Sequence, residues 1–341
     1  MTEDCNKDVL AVKAPKKTPL LLRTTVVVFA VFCGLYMFTI CIKQTRFASD
    51  SKLFKIQLIQ DPPCDKSGYQ ESELAYLHFP KPGTFRRKEC ACNPVRFFAI
   101  LSMQRSGSGW FETLLNSHIN ISSNGEIFGA KDRRSNASRV VEVLDQVYNL
   151  DWFSSASKNE CSAAVGFKWM LNQGAMTNHK EVVEYFNRRG VSAIFLLRRN
   201  LLRRMISMRA NAHDKSVKLI NGTHKSHVHS PKEAQILAQY KPKINTTELV
   251  PSLMQVEGTA RHALEMFKST RHIVLYYEDV VNNRTKLVDV LEFLRVPYRD
   301  LTSRQVKIHS GPLSQYIDNW EDVKKTLNGT SFESFLKEDY K

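Results

Sequence analysis

Between Gln104 and Trp110 the chain reads Gln-Arg-Ser-Gly-Ser-Gly-Trp, a run of small residues around one arginine. Small residues let backbone N–H groups converge on an anion, and a helix starting there adds the positive end of its dipole. Arg105 supplies a fixed charge, while Ser106 and Ser108 supply hydroxyl donors. The run follows an apolar segment, Phe97 to Leu101, and precedes Trp110, Phe111, Leu114 and Leu115 on one helical face. Strand, loop and helix in that order make a phosphate cradle. It is not the triphosphatase loop, in which a lysine and a hydroxyl residue follow the second glycine.

A second basic site follows another apolar run, Ala193 to Leu197. Arg198 and Arg199 stand at its end, and Arg203, Arg204 and Ser207 follow on a predicted helix. Ser207 lies eight positions after Arg199, just over two turns away, so an arginine fork and a hydroxyl can share one phosphate. Among carboxylates, Glu126 stands out in a glycine-containing loop after the first strand–helix unit. A base near neutral pH would suit that place. His118 is a second candidate, and Lys168 sits where a strand-end cation could reach an anion. His213, His224, His227 and His229 are irregularly spaced without carboxylates, which favours a substrate-facing loop over a metal site.

The elements that must position these groups alternate. Strand signals at 97–101, 119–122, 163–170, 191–197 and 273–277 are separated by helical ones at 137–149, 179–188, 201–208, 256–267 and 286–294. The pattern predicts an α/β domain with a parallel sheet flanked by helices, and ligands at the strands' carboxyl ends. Residues 213–243, polar and rich in histidine, read as a long loop or lid.

Ahead of this domain, Thr24 to Ile42 gives nineteen residues without a charge, long enough for one transmembrane helix. Lys13, Lys16, Lys17 and Arg23 precede it, against Lys43 and Arg46 after it, which predicts a cytosolic N-terminus. The expected organisation is a tail at 1–23, an anchor at 24–42, a lumenal stem at 43–93 and a catalytic domain at 94–341. Six N-x-[ST] sequons, at Asn120, Asn136, Asn221, Asn245, Asn283 and Asn328, agree with a lumenal face. Cys64, Cys90, Cys92 and Cys161 allow two disulfides in three pairings; Cys90 and Cys92 are too close to be ordinary partners. The formal charge of +15 calls for anionic company, and a lumenal domain disfavours nucleic acid.

Together these motifs resemble the sulfotransferases that use 3′-phosphoadenosine 5′-phosphosulfate. The loop at 104–110, Arg199 with Ser207, and Tyr277-Glu278-Asp279 are similar to that superfamily's three signatures, in order. Gly125-Glu126-Ile127-Phe128 and Gln315 to Trp320 resemble the membrane-bound carbohydrate sulfotransferases, including the nodulation type and its plant relatives. The resemblance implies a P-loop-type fold and a Golgi membrane enzyme of type II topology, sulfating a hydroxyl on a glycan or glycoconjugate without a metal. It implies that Arg105, Ser106, Gly107, Ser108, Gly109 and Trp110 hold the 5′-phosphosulfate and adenine side. Arg199 and Ser207 would take the 3′-phosphate, Tyr277 would border the nucleotide, and Glu126 and Arg105 would be catalytic. Gly109 departs from the usual hydroxyl residue, and Lys307, His309 and Gly311 replace a basic segment of the cytosolic members. The rival readings are a P-loop kinase or nucleotide hydrolase, and a non-catalytic glycan-binding relative.

Overall fold

A computed structural model of the chain describes residues 20–49, 64–153 and 161–337. The chain divides into two compact units, residues 1–63 and 64–341. In the first, helix α1 runs Leu20–Ser49, with side chains described at residues 24–40. Most are apolar and open to solvent, Phe29 at 71% and Phe32 at 69%. The stretch expected to span a membrane, 24–42, falls in this helix. Among the described residues, however, no helix is long and apolar enough to cross a membrane; roughly 20 consecutive apolar residues are needed.

The second unit begins at Cys64, so residues 64–93, read from the sequence as stem, lie in the same unit as the sheet. Short helix α2 (Glu71–Leu74) brings Glu73 to Arg96 at 2.7 Å, where burial opposes a shift but Arg295, Arg96 and Arg271 hold its carboxyl below the usual range. Two disulfides fasten this segment, Cys64–Cys92 and Cys90–Cys161, with Cα atoms 5.1 and 5.3 Å apart. They settle the pairing left open by the sequence.

Five parallel strands form one sheet: β1 (Arg96–Ser102), β2 (Ile121–Glu126), β3 (Ala164–Met170), β4 (Val191–Leu197) and β5 (His272–Tyr276). Their spatial order is β2-β3-β1-β4-β5. All seven residues of β1, β3 and β4 are buried, as expected of parallel strands covered on both faces. Side chains alternate between faces. Phe97, Ala99 and Leu101 pack toward α4 (Ala137–Tyr148), α5 (His179–Arg189) and the end of α8 (Thr246–Met266), through Leu144, Phe186 and Phe267. Phe98 and Ile100 pack toward α3 (Ser108–Ser117) and α10 (Thr285–Phe293), through Phe111, Leu115 and Leu291. A third cluster joins α6 (Leu201–Val217) and α8 to α11 (Trp320–Leu327), through Leu202, Leu253 and Val323.

Three helices differ from the sequence expectation. α8 begins at Thr246 rather than near 256. α6 continues nine residues past Met208, and its last turn buries Asp214, which anchors the following loop. α7 (Pro231–Leu237) interrupts the expected lid, started by Ser230 capping Glu233 N–H and by proline in the first turn.

Candidate active site

β1 ends with the Ser102 hydroxyl donating to Leu196 C=O at 2.7 Å, which fixes the carboxyl ends of β1 and β4 together. The chain then turns through two left-handed residues, Arg105 (φ 64°) and Gly107 (φ 86°). Gly107 caps α3 with no side chain in the way, and the first intrahelical bond runs from Phe111 N–H to Gly107 C=O. Ser108, Gly109 and Trp110 N–H groups therefore have no acceptor inside the helix, the arrangement that receives an anion. Glycine is required at 107 for space as well. A Cβ there would lie 2.2 Å from the ring of Tyr277. Trp110 meets the same ring edge-on, 5.5 Å between centroids.

Above this loop, at the carboxyl ends of β1, β3 and β4, is a cavity of about 520 Å³. Arg105, Gly107, Ser108, Gly109, Trp110, Glu126, Ser207 and Tyr277 all line it, so most of the residues singled out in the sequence come together. Ser106 does not line it. It is fully buried beneath the loop, and its hydroxyl has no hydrogen-bond partner among the described residues. Arg105 donates through Nε to Ser207 Oγ at 2.8 Å and through Nη1 to Ser226 C=O at 2.7 Å. Burial, with Arg198 nearby, pushes its guanidinium down to about 10, which leaves it charged at neutral pH.

Arg199 lies apart from these residues. Its guanidinium pairs with both oxygens of Asp279 and lies 4.2 Å over the Tyr276 ring, half exposed and outside the cavity wall. Arg198 lines the cavity instead. Consecutive residues leaving a strand face opposite sides, so only one of the pair can point inward. Arg198 donates to Arg105 C=O at 3.4 Å and lies over the Tyr277 ring at 4.9 Å. Tyr277, Glu278 and Asp279 open helix α9 (Tyr277–Asn282) and have separate tasks. Tyr277 supports Gly107, Glu278 accepts the N–H groups of Arg199 and Asn200 at 3.1 and 3.2 Å, and Asp279 holds Arg199. From α6, Arg203, Ser207 and Asn211 reach the cavity at four-residue spacing, one helical face.

On the opposite wall, Glu126 ends β2 and Lys168 lies near the end of β3. Lys168 is buried between two carboxylates, 3.4 Å from Glu112 and 3.6 Å from Glu126. Glu112 is fixed by Ser123 Oγ–H at 2.6 Å and Gly125 N–H at 3.0 Å, and Gln173 Nε2 donates to Glu126. The sequence reading missed Glu112 and Gln173, because neither belongs to a motif and only the fold brings them to Lys168.

His118 is not in the cavity. It is fully buried, with Nε2 on Pro297 C=O at 2.9 Å and Nδ1 accepting Asn120 N–H at 3.0 Å. Both nitrogens serve the backbone, which leaves nothing for a substrate proton. Of the other histidines, His213 stacks on Tyr240 at 3.8 Å and His224 pairs with Asp214 at 2.7 Å. His227 enters the cavity, where its ring covers Gly109. Among the described residues, no group of histidine, cysteine or carboxylate side chains is placed to hold a metal ion. Lys307 and His309 close the far wall, and burial together with Arg105, Arg198, Arg203 and Lys307 brings His309 down to about 4.

No protein-family model matches the chain, and no curated protein sequence matches it. Among solved structures it is similar to a sulfotransferase from Alicyclobacillus acidocaldarius, with a TM-score of 0.39 and 10% identity over 70% of this chain and 98% of that one. It is also similar to the sulfotransferase domain from the curacin biosynthetic pathway, with a TM-score of 0.32 and 16% identity over 72% and 86% of the two chains. Both likenesses are distant, and the functional argument rests on the cavity itself.

Proposed function

We propose that the chain is a sulfotransferase that moves the sulfuryl group of 3′-phosphoadenosine 5′-phosphosulfate to a hydroxyl of a glycan or glycoconjugate. One observation carries this reading. A single cavity joins an anion-binding loop without the triphosphatase lysine to a separate basic wall made by Arg198, Arg203 and Lys307. A nucleotide charged at both its 3′ and 5′ positions matches two such poles. The donor set fits it: first-turn N–H groups and Lys168 near the loop, Arg198, Arg203 and Lys307 on the further wall, and Arg105 joined to Ser207.

Transfer forms a bond between the acceptor oxygen and sulfur and breaks the bond from sulfur to the bridging phosphate oxygen. Negative charge then gathers on the leaving bisphosphate, and fixed cations that meet it there lower the barrier. Arg105, held by Ser207 and Ser226, and Lys168, held by Glu112 and Glu126, are the cations in place. Glu126 lines the same cavity beside Lys168.

Anchoring by α1 with the second unit in the Golgi lumen is part of the same proposal. It is supported by the exposed apolar side chains between Val26 and Phe38, the basic residues ahead of them, the sequons and the disulfide pairing. The test uses the full chain in detergent micelles, given radiolabelled donor and fractionated secretory or cell-wall glycans. Label should pass to a glycan fraction, and adenosine 3′,5′-bisphosphate should compete with the donor. Retention by ATP–magnesium but not by the bisphosphate would replace this reading with a kinase or hydrolase. Nucleotide binding without transfer to any glycan would replace it with a non-catalytic relative.

A further inference from the structure

His227 has a place in the cavity that the sequence motifs did not assign. The loop between α6 and α7 is tied to Asp214, whose carboxylate accepts Leu219 N–H and Lys225 N–H, each at 3.0 Å, and pairs with His224. His224 in turn reaches Ser226 Oγ at 3.1 Å, and Ser226 C=O takes Arg105. This chain of contacts delivers the next residue, His227, onto the anion-binding loop. A Cβ on Gly109 would stand 2.5 Å from its Nε2 and Cε1, so glycine at 109 is what admits the ring. Neither ring nitrogen of His227 has a hydrogen-bond partner among the described residues, and the side chain opens onto the cavity. Glu126 is differently placed, with one oxygen accepting from Gln173 and the other facing the Lys168 ammonium.

We infer that His227, not Glu126, accepts the proton of the attacking hydroxyl, and that it does so only after the anionic donor has entered the cavity. The inference rests on the transferase reading above and deepens it. The groups facing His227 are Arg105 from the loop, Lys168 from β3 and His229 from its own segment. Removal from bulk water, followed by these charges, pulls the imidazole down to about 4, so it is neutral and a weak base while the cavity is empty. The donor's phosphate and sulfate charges offset Arg105 and Lys168, and the same imidazole then gains proton affinity.

The balance of the step is complete. The hydroxyl oxygen bonds to sulfur, its proton passes to a His227 nitrogen, and the electron pair of the broken bond leaves on the bisphosphate. When the bisphosphate departs, Arg105 and Lys168 again face the imidazolium and drive the proton to water. Donor binding therefore precedes productive acceptor binding.

Two measurements on the full chain in detergent micelles test this. Calorimetry of adenosine 3′,5′-bisphosphate binding at pH 6, in two buffers of different ionisation enthalpy, counts protons taken up. His309 faces Arg105 as well and contributes to the total, so the readout is wild type minus His227→Gln. From a starting value near 4 the imidazole is about 1% protonated at pH 6, so a return toward its ordinary 6.5 on binding adds up to roughly three quarters of a proton. The second measurement is slow sulfuryl transfer to water, read as sulfate released from labelled donor, which needs no identified glycan. His227→Gln should lower it by about 10²-fold or more, with bisphosphate affinity within about threefold.

His227→Asn, checked by its melting temperature, should repeat the result if the glutamine variant misfolds. Glu126→Gln should lose less than His227→Gln. Equal proton uptake in wild type and variant, release within threefold of wild type, or a larger loss in Glu126→Gln overturns the inference and leaves the transferase reading standing. A wild type that does not bind the bisphosphate or releases no sulfate overturns that reading, and this inference with it.

Discussion

Gly107→Ala is the sharpest test of how the loop is built. The backbone there has φ 86° and ψ 7°, and an L side chain in the left-handed region costs about 1–2 kcal/mol. The new methyl would also stand 2.2 Å from Tyr277 Cδ2, and forcing a buried ring aside adds about 1–3 kcal/mol. The total is about 2–5 kcal/mol. Gly125→Ala is the internal control: φ is 78°, yet nothing lies within 4 Å of its Cβ position, so only the backbone strain of about 1–2 kcal/mol applies. At about 2–3 °C per kcal/mol for a unit of this size, Gly107→Ala should melt about 4–15 °C below wild type and Gly125→Ala about 2–6 °C below. Scanning calorimetry of the full chain measures both. Because Tyr277 also borders the cavity, Gly107→Ala should weaken bisphosphate binding by more than about tenfold, a change of roughly 1.4 kcal/mol. Melting temperatures within 2 °C of each other would refute the close approach of Tyr277, taking about 2 °C as under 1 kcal/mol.

Three further outcomes follow from other contacts. Arg198→Ala should weaken bisphosphate binding more than Arg199→Ala does, because Arg198 lines the cavity while Arg199 is held outside by Asp279; equilibrium titration of both variants decides it, and the reverse order refutes it. Non-reducing digestion and mass spectrometry should recover Cys64 joined to Cys92 and Cys90 to Cys161, and serine at Cys90 should cost about 2–4 kcal/mol in denaturant unfolding. Burial brings His78, stacked on Phe97 at 4.0 Å, down to about 4, against 6.5 for a free imidazole. The unfolded chain therefore binds the extra proton as pH falls, and this stability is complete above about 6.5 and lost toward 4. Between pH 7 and 5 the loss from this residue should be roughly 1–2 kcal/mol, and His78→Gln should flatten that part of the melting profile.

The sequence showed the parallel sheet because its strands are buried on both faces and read as unbroken apolar runs; Val191–Leu197 has the expected limits. The anion-binding loop was legible for a similar reason, since its glycines and hydroxyls have few other uses between a strand and a helix. What depends on three dimensions was not legible. Spacing alone favoured Arg199, and only the exit direction of β4 shows that Arg198 faces inward. The last two turns of α6 are polar and carry no helical apolar pattern, yet Asp214 there is buried for the sake of the loop it anchors. Periodicity predicts α8 only from 256, after Pro251, whereas the helix begins at Thr246, capped by Asn245, and carries the proline within it. Glu112 and Gln173 sit on elements far apart in the chain from the residues they hold.

All the reactive side chains stand along one rim of the sheet, while both packed faces beneath are apolar. Segments that cross this rim, such as the span from Lys218 to Ser230, add little to the strand ladder. Such a layout separates durability from chemistry: exchange of a rim segment alters what the cavity holds and turns over without loosening the foundation. A change between Lys218 and Ser230 can therefore abolish turnover while the melting temperature stays near that of the wild type.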